Sequence, residues 1–387
     1  SVILLEEEGA VFPGDEDSWR SYLDHRLDPS IFQEDDVVLT WGEFQASHYR
    51  ERCPEMAERI LSTGHPRFDI YKPHYREFFD QQVAKLREKH GRFILINTSS
   101  GLGNHSMGDD FVFKNIYERG EEHPDWQMSQ IQLWSDQKIQ LANFIRLIYR
   151  LAKAHPDLKI ISRPHPSESR TFYKTAFQGL SNVEVCHEGP VAPWIFASEL
   201  VIQEACTTAI ETYLADKPLI TYNSVTDPKK AQRLPKLFGV LSDTPEEVVQ
   251  FTEEILSGKR NGLVQRLDED PNAKSMLRNF EADSLELILE TLDQVEEAKR
   301  RRSTRAPALL QTQVIERAET IQARIKKPLR RLSPSKQHAY ESLKGQFAGF
   351  DEDEITRKLD TIQSMTGQKV DYTIMSPWLI VFDGVRT

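Results

Sequence analysis

The 387-residue chain has little cysteine and no long apolar run. Its three cysteines, Cys53, Cys186 and Cys206, are too few and too scattered for a disulfide framework or a four-ligand zinc site, which fits a reducing cytoplasm. The longest apolar stretches, such as Trp378-Leu379-Ile380-Val381-Phe382, fall far below the roughly 20 residues that span a bilayer, so no transmembrane helix is expected. Motifs of several familiar chemistries are missing too. There is no Gly-x-Ser-x-Gly nucleophile elbow, no His-Glu-x-x-His metal helix and no Gly-x-x-x-x-Gly-Lys-Ser/Thr phosphate loop. No metal site is expected. The N-terminus, Ser1-Val2-Ile3-Leu4-Leu5, lacks the basic region and apolar core of a signal peptide and reads as the middle of a buried strand, so a natural N-terminal portion is expected to precede it.

What is present is ordinary for a folded protein. Hydrophobic residues make up 39%, charged residues 28%, and the mean hydropathy is −0.53; at about 150 residues per domain, two to three units are expected. The net charge of −11 argues against a nucleic-acid partner, which would need a basic face. That average hides an asymmetry. From Lys299 to Lys336 stand twelve Lys and Arg against Glu316 and Glu319, a local +10 that leaves −21 on the remainder. Such an excess suits an anionic membrane surface, at about 1 kcal/mol per nearby basic residue, or is a solvated basic helix. It carries no interleaved aromatic side chains for stacking on bases.

Short apolar runs alternate with amphipathic stretches through the first two-thirds of the chain, as βαβ units with a parallel sheet require. Strands are expected at residues 2–5, 37–40, 92–96, 159–162, 183–186, 200–202 and 219–222. Helical spacing of Ile139, Phe144, Ile145, Ile148 and Leu151 marks 136–154, and 207–215 reads as a short helix entered from a turn. The expected fold is α/β in two blocks, 1–89 and 90–258, the first too short for a complete doubly wound domain. Residues 259–387 read as a helical, basic extension whose clearest helices are 284–299 and 307–326.

Four stretches carry polar chemistry at expected strand ends. In Ile160-Ile161-Ser162-Arg163-Pro164-His165-Pro166-Ser167-Glu168 a histidine flanked by prolines follows an apolar strand, where open α/β sheets place their ligands. An imidazole there can hydrogen-bond a phosphate or protonate a leaving group. In Gln203-Glu204-Ala205-Cys206-Thr207-Thr208-Ala209-Ile210-Glu211 paired hydroxyls open a helix and can converge on an anion, with Glu211 one turn on, placed to accept from a ribose; structurally the same residues are a cap and a first-turn charge. Asn97-Thr98-Ser99-Ser100-Gly101-Leu102-Gly103 is a small polar loop whose backbone N–H groups can approach a phosphate or sugar. Glu6-Glu7-Glu8-Gly9 sets carboxylates after a buried-looking strand, where one can act as a general base toward a hydroxyl. Trp41-Gly42-Glu43, Gly64-His65-Pro66-Arg67-Phe68-Asp69 and Pro193-Trp194 read as structural turns.

Together these residues resemble the bacterial surface carbohydrate biosynthesis protein family, and more broadly the GT-B glycosyltransferases that use CMP-activated sugars, the bacterial sialyltransferases and Kdo transferases. The resemblance covers roughly residues 2–225, through Glu6-Glu7-Glu8-Gly9, Trp41-Gly42-Glu43, Gly64-His65-Pro66-Arg67-Phe68-Asp69, Arg163-Pro164-His165-Pro166 and Thr207-Thr208-Ala209-Ile210-Glu211. It implies a GT-B-like layout, with 1–89 the remainder of an acceptor-side Rossmann-like domain and 90–258 the donor-binding one. It also implies Glu7, with Glu8 as the alternative, as catalytic base, and His165 acting on the departing phosphate. Asn97, Ser99, Ser100, Gly101, Arg163, Pro166, Thr207 and Thr208 would hold the donor nucleotide and Glu211 the cytidine ribose. The implied reaction is inverting transfer, without metal or other cofactor, from a nucleotide-sugar donor to a glycan or lipid-linked acceptor at the cytoplasmic face of the membrane. A polyol-phosphate transferase or a nucleotide-sugar 2-epimerase shares this layout, and a non-catalytic scaffold of polysaccharide assembly would use the basic tail alone.

Overall fold

The computed structural model describes residues 3–6, 9–12, 14–27, 32–33, 36–120, 124–204, 206–224, 232–302, 352–367, 369–376 and 379–386. They fall into two compact units, Ser1–Leu292 and Asp293–Thr387. The first unit opens with β1 (Ile3–Leu5), α1 (Glu16–Asp24), β2 (Val37–Thr40), α2 (Glu43–Arg52), β3 (Ile60–Ser62), α3 (Pro66–Asp69) and α4 (Asp80–His90). Its strands pair in parallel in the order β1-β2-β3. β3 escapes the sequence reading because three residues leaving a turn of 3-10 helix show no alternation of their own.

A second parallel sheet follows, built from β4 (Phe93–Asn97), α5 (Asp109–Gly120), α6 (Pro124–Ala154), β5 (Lys159–Arg163), α7 (Arg170–Ala176), β6 (Val183–Val185), α8 (Ala192–Ala197), β7 (Leu200–Gln203), α9 (Thr208–Leu214), β8 (Leu219–Tyr222), β9 (Val240–Ser242) and α10 (Pro245–Leu256). The strand order is β6-β5-β4-β7-β8-β9, all parallel. The chain is thus α/β with two successive parallel blocks, as expected.

Period-two alternation decides the core. Phe93 and Leu95 of β4 face one cluster, Ile94 and Ile96 the opposite one with Phe144, Leu147, Ile148 and Leu151 of α6. The first of these clusters is continuous with Trp41, Tyr49 and Phe68 of the first block, so both sheets share one hydrophobic core.

After α10 the chain returns to the first block through α11 (Ala273–Met276) and the start of α12 (Ser284–Arg302). Residues 259–292, read from sequence as part of the extension, stay within the first unit. Polar side chains clamp the return. Asp69, 2% exposed, accepts from Asn279 Nδ2 and Ser284 Oγ at 2.6 Å and from the Leu285 N–H at 3.0 Å. Asn279 also spans the backbone of His65, and Gly64 is required beside it: its φ is +80°, and a Cβ there would lie 2.5 Å from Asn279 Oδ1. Asp69→Ala would strand the buried Asn279 and Ser284 donors and a half-buried N–H, and is expected to cost about 3 kcal/mol in urea unfolding.

The second unit contains α13 (Glu352–Thr366) and an antiparallel hairpin of β10 (Lys369–Ser376) with β11 (Leu379–Arg386). The extension is therefore not helical throughout: Val370, Tyr372, Ile380 and Phe382 lie in paired strands. The helix expected at 307–326 and most of the basic stretch lie outside the described residues. Among the described residues, no helix is long and apolar enough to cross a membrane.

Candidate functional site

In chain order, the strands of the large sheet run 3-2-1-4-5-6 across it. From β4 the chain builds outward through β5 to β6, then crosses back to β7 on the other side of β4, so the switch point, where open α/β sheets place their ligands, lies at the carboxyl ends of β4 and β7. Three sequence-predicted stretches lie there: Asn97–Gly101 after β4, Pro164–Glu168 after β5, and Glu204 with Cys206 and Thr207 after β7. Ser99 Oγ donates to the Glu204 carbonyl at 3.0 Å and joins the first loop to the third across the switch point. The Thr98 N–H reaches the Arg163 carbonyl at 3.4 Å and joins it to the second.

The β4 loop is held from beneath by α6. Gln140 bonds Ser99 and Ser100 hydroxyls at 3.2 and 3.1 Å, while Gln137 Oε1 accepts the N–H groups of Leu102 and Gly103. Gly101 lies close against the second loop: a Cβ there would stand 2.6 Å from Ser167 Oγ, which would have to turn aside. His165 is exposed beside it. Its Nδ1 accepts from the Ser167 N–H (3.3 Å) and lies 2.8 Å from Ser167 Oγ, an arrangement that leaves Nε2 to carry the hydrogen of the neutral ring.

Asn97 ends β4 on the same sheet face as its register partner Arg163, and its Oδ1 and Nδ2 are both buried without a hydrogen-bond partner. A buried amide with four unused hydrogen-bonding positions is costly unless something polar meets it. Thr207 stands half-buried at the start of α9 and makes no capping bond with its side chain. Thr208 is buried, its Oγ1 3.1 Å from Cys206 Sγ. Burial pushes the Cys206 thiol up, so it is no ready thiolate nucleophile.

Two predicted residues are turned elsewhere. Arg163 is buried, its guanidinium donating to the carbonyls of Glu188 (3.1 Å) and Gly189 (2.5 Å) and lying over the Trp194 ring. Burial lowers it to about 10. Glu211 is buried beneath α9, where its Oε1 accepts from Arg67 Nη2 at 2.8 Å. Pro66-Arg67 thus belongs to the site's frame, although its sequence reads as a turn.

Glu7 and Glu8 lie outside the described residues. Their neighbour Glu6 is buried at the carboxyl end of β1, paired with Arg26, and its carbonyl accepts from Trp41 Nε1. Sequence reasoning missed Glu168, which ties the loops together, and the bracing pair Gln137 and Gln140. The only signal was an acid three residues past His165 and two glutamines three apart on one face of α6. Among the described residues, no group of three or more His, Cys, Asp or Glu is arranged to hold a metal ion.

No family model matches the chain, and no curated protein matches it. Solved structures of low identity do. The UDP-GlcNAc 2-epimerase of Methanocaldococcus jannaschii, in complex with UDP-GlcNAc and UDP, is 14% identical with a TM-score of 0.38, covering 63% of this chain and 59% of the epimerase. The wall teichoic acid polymerase TagF is 11% identical with a TM-score of 0.42, covering 76% of this chain and 69% of TagF. A glycosyltransferase from Rickettsia africae is 13% identical with a TM-score of 0.35, covering 73% and 68%. The chain spans under two thirds of the epimerase it matches.

Proposed function

We propose that the protein is a transferase that binds a nucleotide-activated donor in the crevice at the carboxyl ends of β4 and β7. The observation that carries this reading is the meeting of the three polar loops at that one edge, over a buried Asn97 amide with no partner of its own. The finer reading is inverting, metal-independent transfer of a sialic-acid-like or Kdo-like sugar from a CMP donor to a glycan or lipid-linked hydroxyl in bacterial surface polysaccharide synthesis. The motif resemblance supports it.

In this scheme Glu7 or Glu8 takes the proton of the acceptor hydroxyl as its oxygen attacks the anomeric carbon and the bond to the CMP phosphate breaks. His165 Nε2, the Thr207 hydroxyl and the backbone N–H groups of Ser99 and Gly101 steady the leaving phosphate by directed hydrogen bonds. Asn97 meets a polar group of the donor. Glu211 reaches a ribose only by exchanging Arg67 for it. The protein would work at the inner face of the membrane, drawn there by Lys299–Lys336.

Calorimetric titration with CMP, CDP and UDP tests the reading. CMP is expected to bind best, and His165→Ala to weaken it about tenfold, the worth of one hydrogen bond to a charged phosphate. Preference for CDP or UDP would assign a polyol-phosphate transferase or a 2-epimerase instead. Binding without turnover by the full protein would assign a scaffold, and no nucleotide binding at all would end the proposal.

A further inference from the structure

Glu168 is a buried carboxyl, 1% exposed, set between the two loops that carry Ser99–Gly101 and His165. Its Oε1 accepts the Ser100 N–H and its Oε2 the Thr98 hydroxyl, which in turn accepts from Tyr173 Oη of α7 at 3.2 Å. Backbone bonds close the same seam. The Ser106 N–H donates to the Ser167 carbonyl at 2.8 Å, the Ser169 N–H to the Asn104 carbonyl at 2.7 Å, and His105 pairs with Glu168 in an antiparallel bridge. One side chain therefore sets the spacing of both loops.

The titratable groups around it are Tyr173 from α7, His105 across the bridge, and His165 in its own loop. Among the described residues, no Lys or Arg is ion-paired with it. Burial already pushes Glu168 up to about 7 against the hydrogen bonds that favour its charge. An anion entering the crevice would add a like charge next to a carboxylate without a counter-ion.

Resting on the nucleotide-binding reading above, we propose that Glu168 is a positioning residue that clasps the two loops of the donor site and takes up a proton from solvent when a nucleotide phosphate occupies the crevice. By linkage, nucleotide affinity falls as pH rises and Glu168 ionises. Glutamine keeps the shape of the protonated acid and removes the effect.

The test is titration of CMP into the full chain and into Glu168→Gln from pH 5.5 to 8.5. Any titration of the CMP phosphate or of His165 is common to both proteins and cancels in the ratio of their dissociation constants. The ratio is expected to be near one at pH 5.5, with the glutamine variant binding about tenfold tighter at pH 8.5. Thr98→Val removes one hydrogen bond to the carboxylate, so its own loss of affinity is expected to begin at higher pH than in the parent. A ratio that stays constant with pH overturns the proposal and leaves nucleotide binding standing; if Glu168→Gln does not fold, an unshifted profile in Thr98→Val overturns it. If the parent binds CMP at no pH, the nucleotide-binding reading falls and this inference with it.

Discussion

Arg67→Ala is expected to destabilise the first unit by roughly 3 kcal/mol, and the double variant Arg67→Ala/Glu211→Gln by markedly less. The side chain of Glu211 is only 2% exposed, and the Arg67 guanidinium at 2.8 Å is the cation that compensates its charge. Deleting that cation leaves a carboxylate in low dielectric, for which losses of about 3–5 kcal/mol are typical. The Arg67 side chain is 41% exposed, so water reaches the vacated space and holds the cost to the lower end. Neutralising Glu211 removes the stranded charge and restores most of the loss. By contrast, the Lys114–Glu118 pair is exposed on both sides at 3.7 Å, and breaking it is expected to cost at most about 0.5 kcal/mol. Urea unfolding of the four proteins measures both numbers, and a loss under about 1 kcal/mol for Arg67→Ala would show that water substitutes for the guanidinium.

The second large effect is stabilisation by Glu168→Gln at alkaline pH. The folded chain holds the Glu168 proton up to about pH 7, against 4.5 for an ordinary glutamate. The folded state therefore binds that proton more tightly than the unfolded chain does. This stability is fully present below about pH 4.5, declines between 4.5 and 7, and is gone above 7. At about 1.4 kcal/mol per pKa unit, the loss comes to about 3 kcal/mol. Glutamine cannot ionise and escapes it. The variant is expected to match the parent near pH 5 and to exceed it by about 3 kcal/mol at pH 8, read by denaturant unfolding at both. Equal stability at pH 8 would mean that the hydrogen bonds from Thr98 and Ser100 offset the burial of the charge in full.

Much of the framework was legible because it rests on local pattern. The apolar runs of β4, β5, β7 and β8 are buried on both faces in a parallel sheet and so stand out as continuous Val, Ile and Leu segments. The turns that follow them carry their own signals in Pro164, Pro166 and Gly101. β3 and β9 were not legible, since each is a three-residue strand that follows a turn of 3-10 helix within a few residues and has no longer apolar run to announce it. The hairpin of β10 and β11 is offset by bulges that break its alternation.

By itself, the sequence determined the α/β class and three polar stretches at strand ends, because strand burial and turn chemistry act over a few residues. Tertiary structure alone decided which side chains those stretches spend on each other. Arg163 turns to the carbonyls before α8, Glu211 closes on Arg67 of α3, 144 residues earlier, and Glu168 seals two loops together. A buried charge takes whatever partner the fold brings within hydrogen-bonding reach, and strand order, not spacing along the chain, sets that reach.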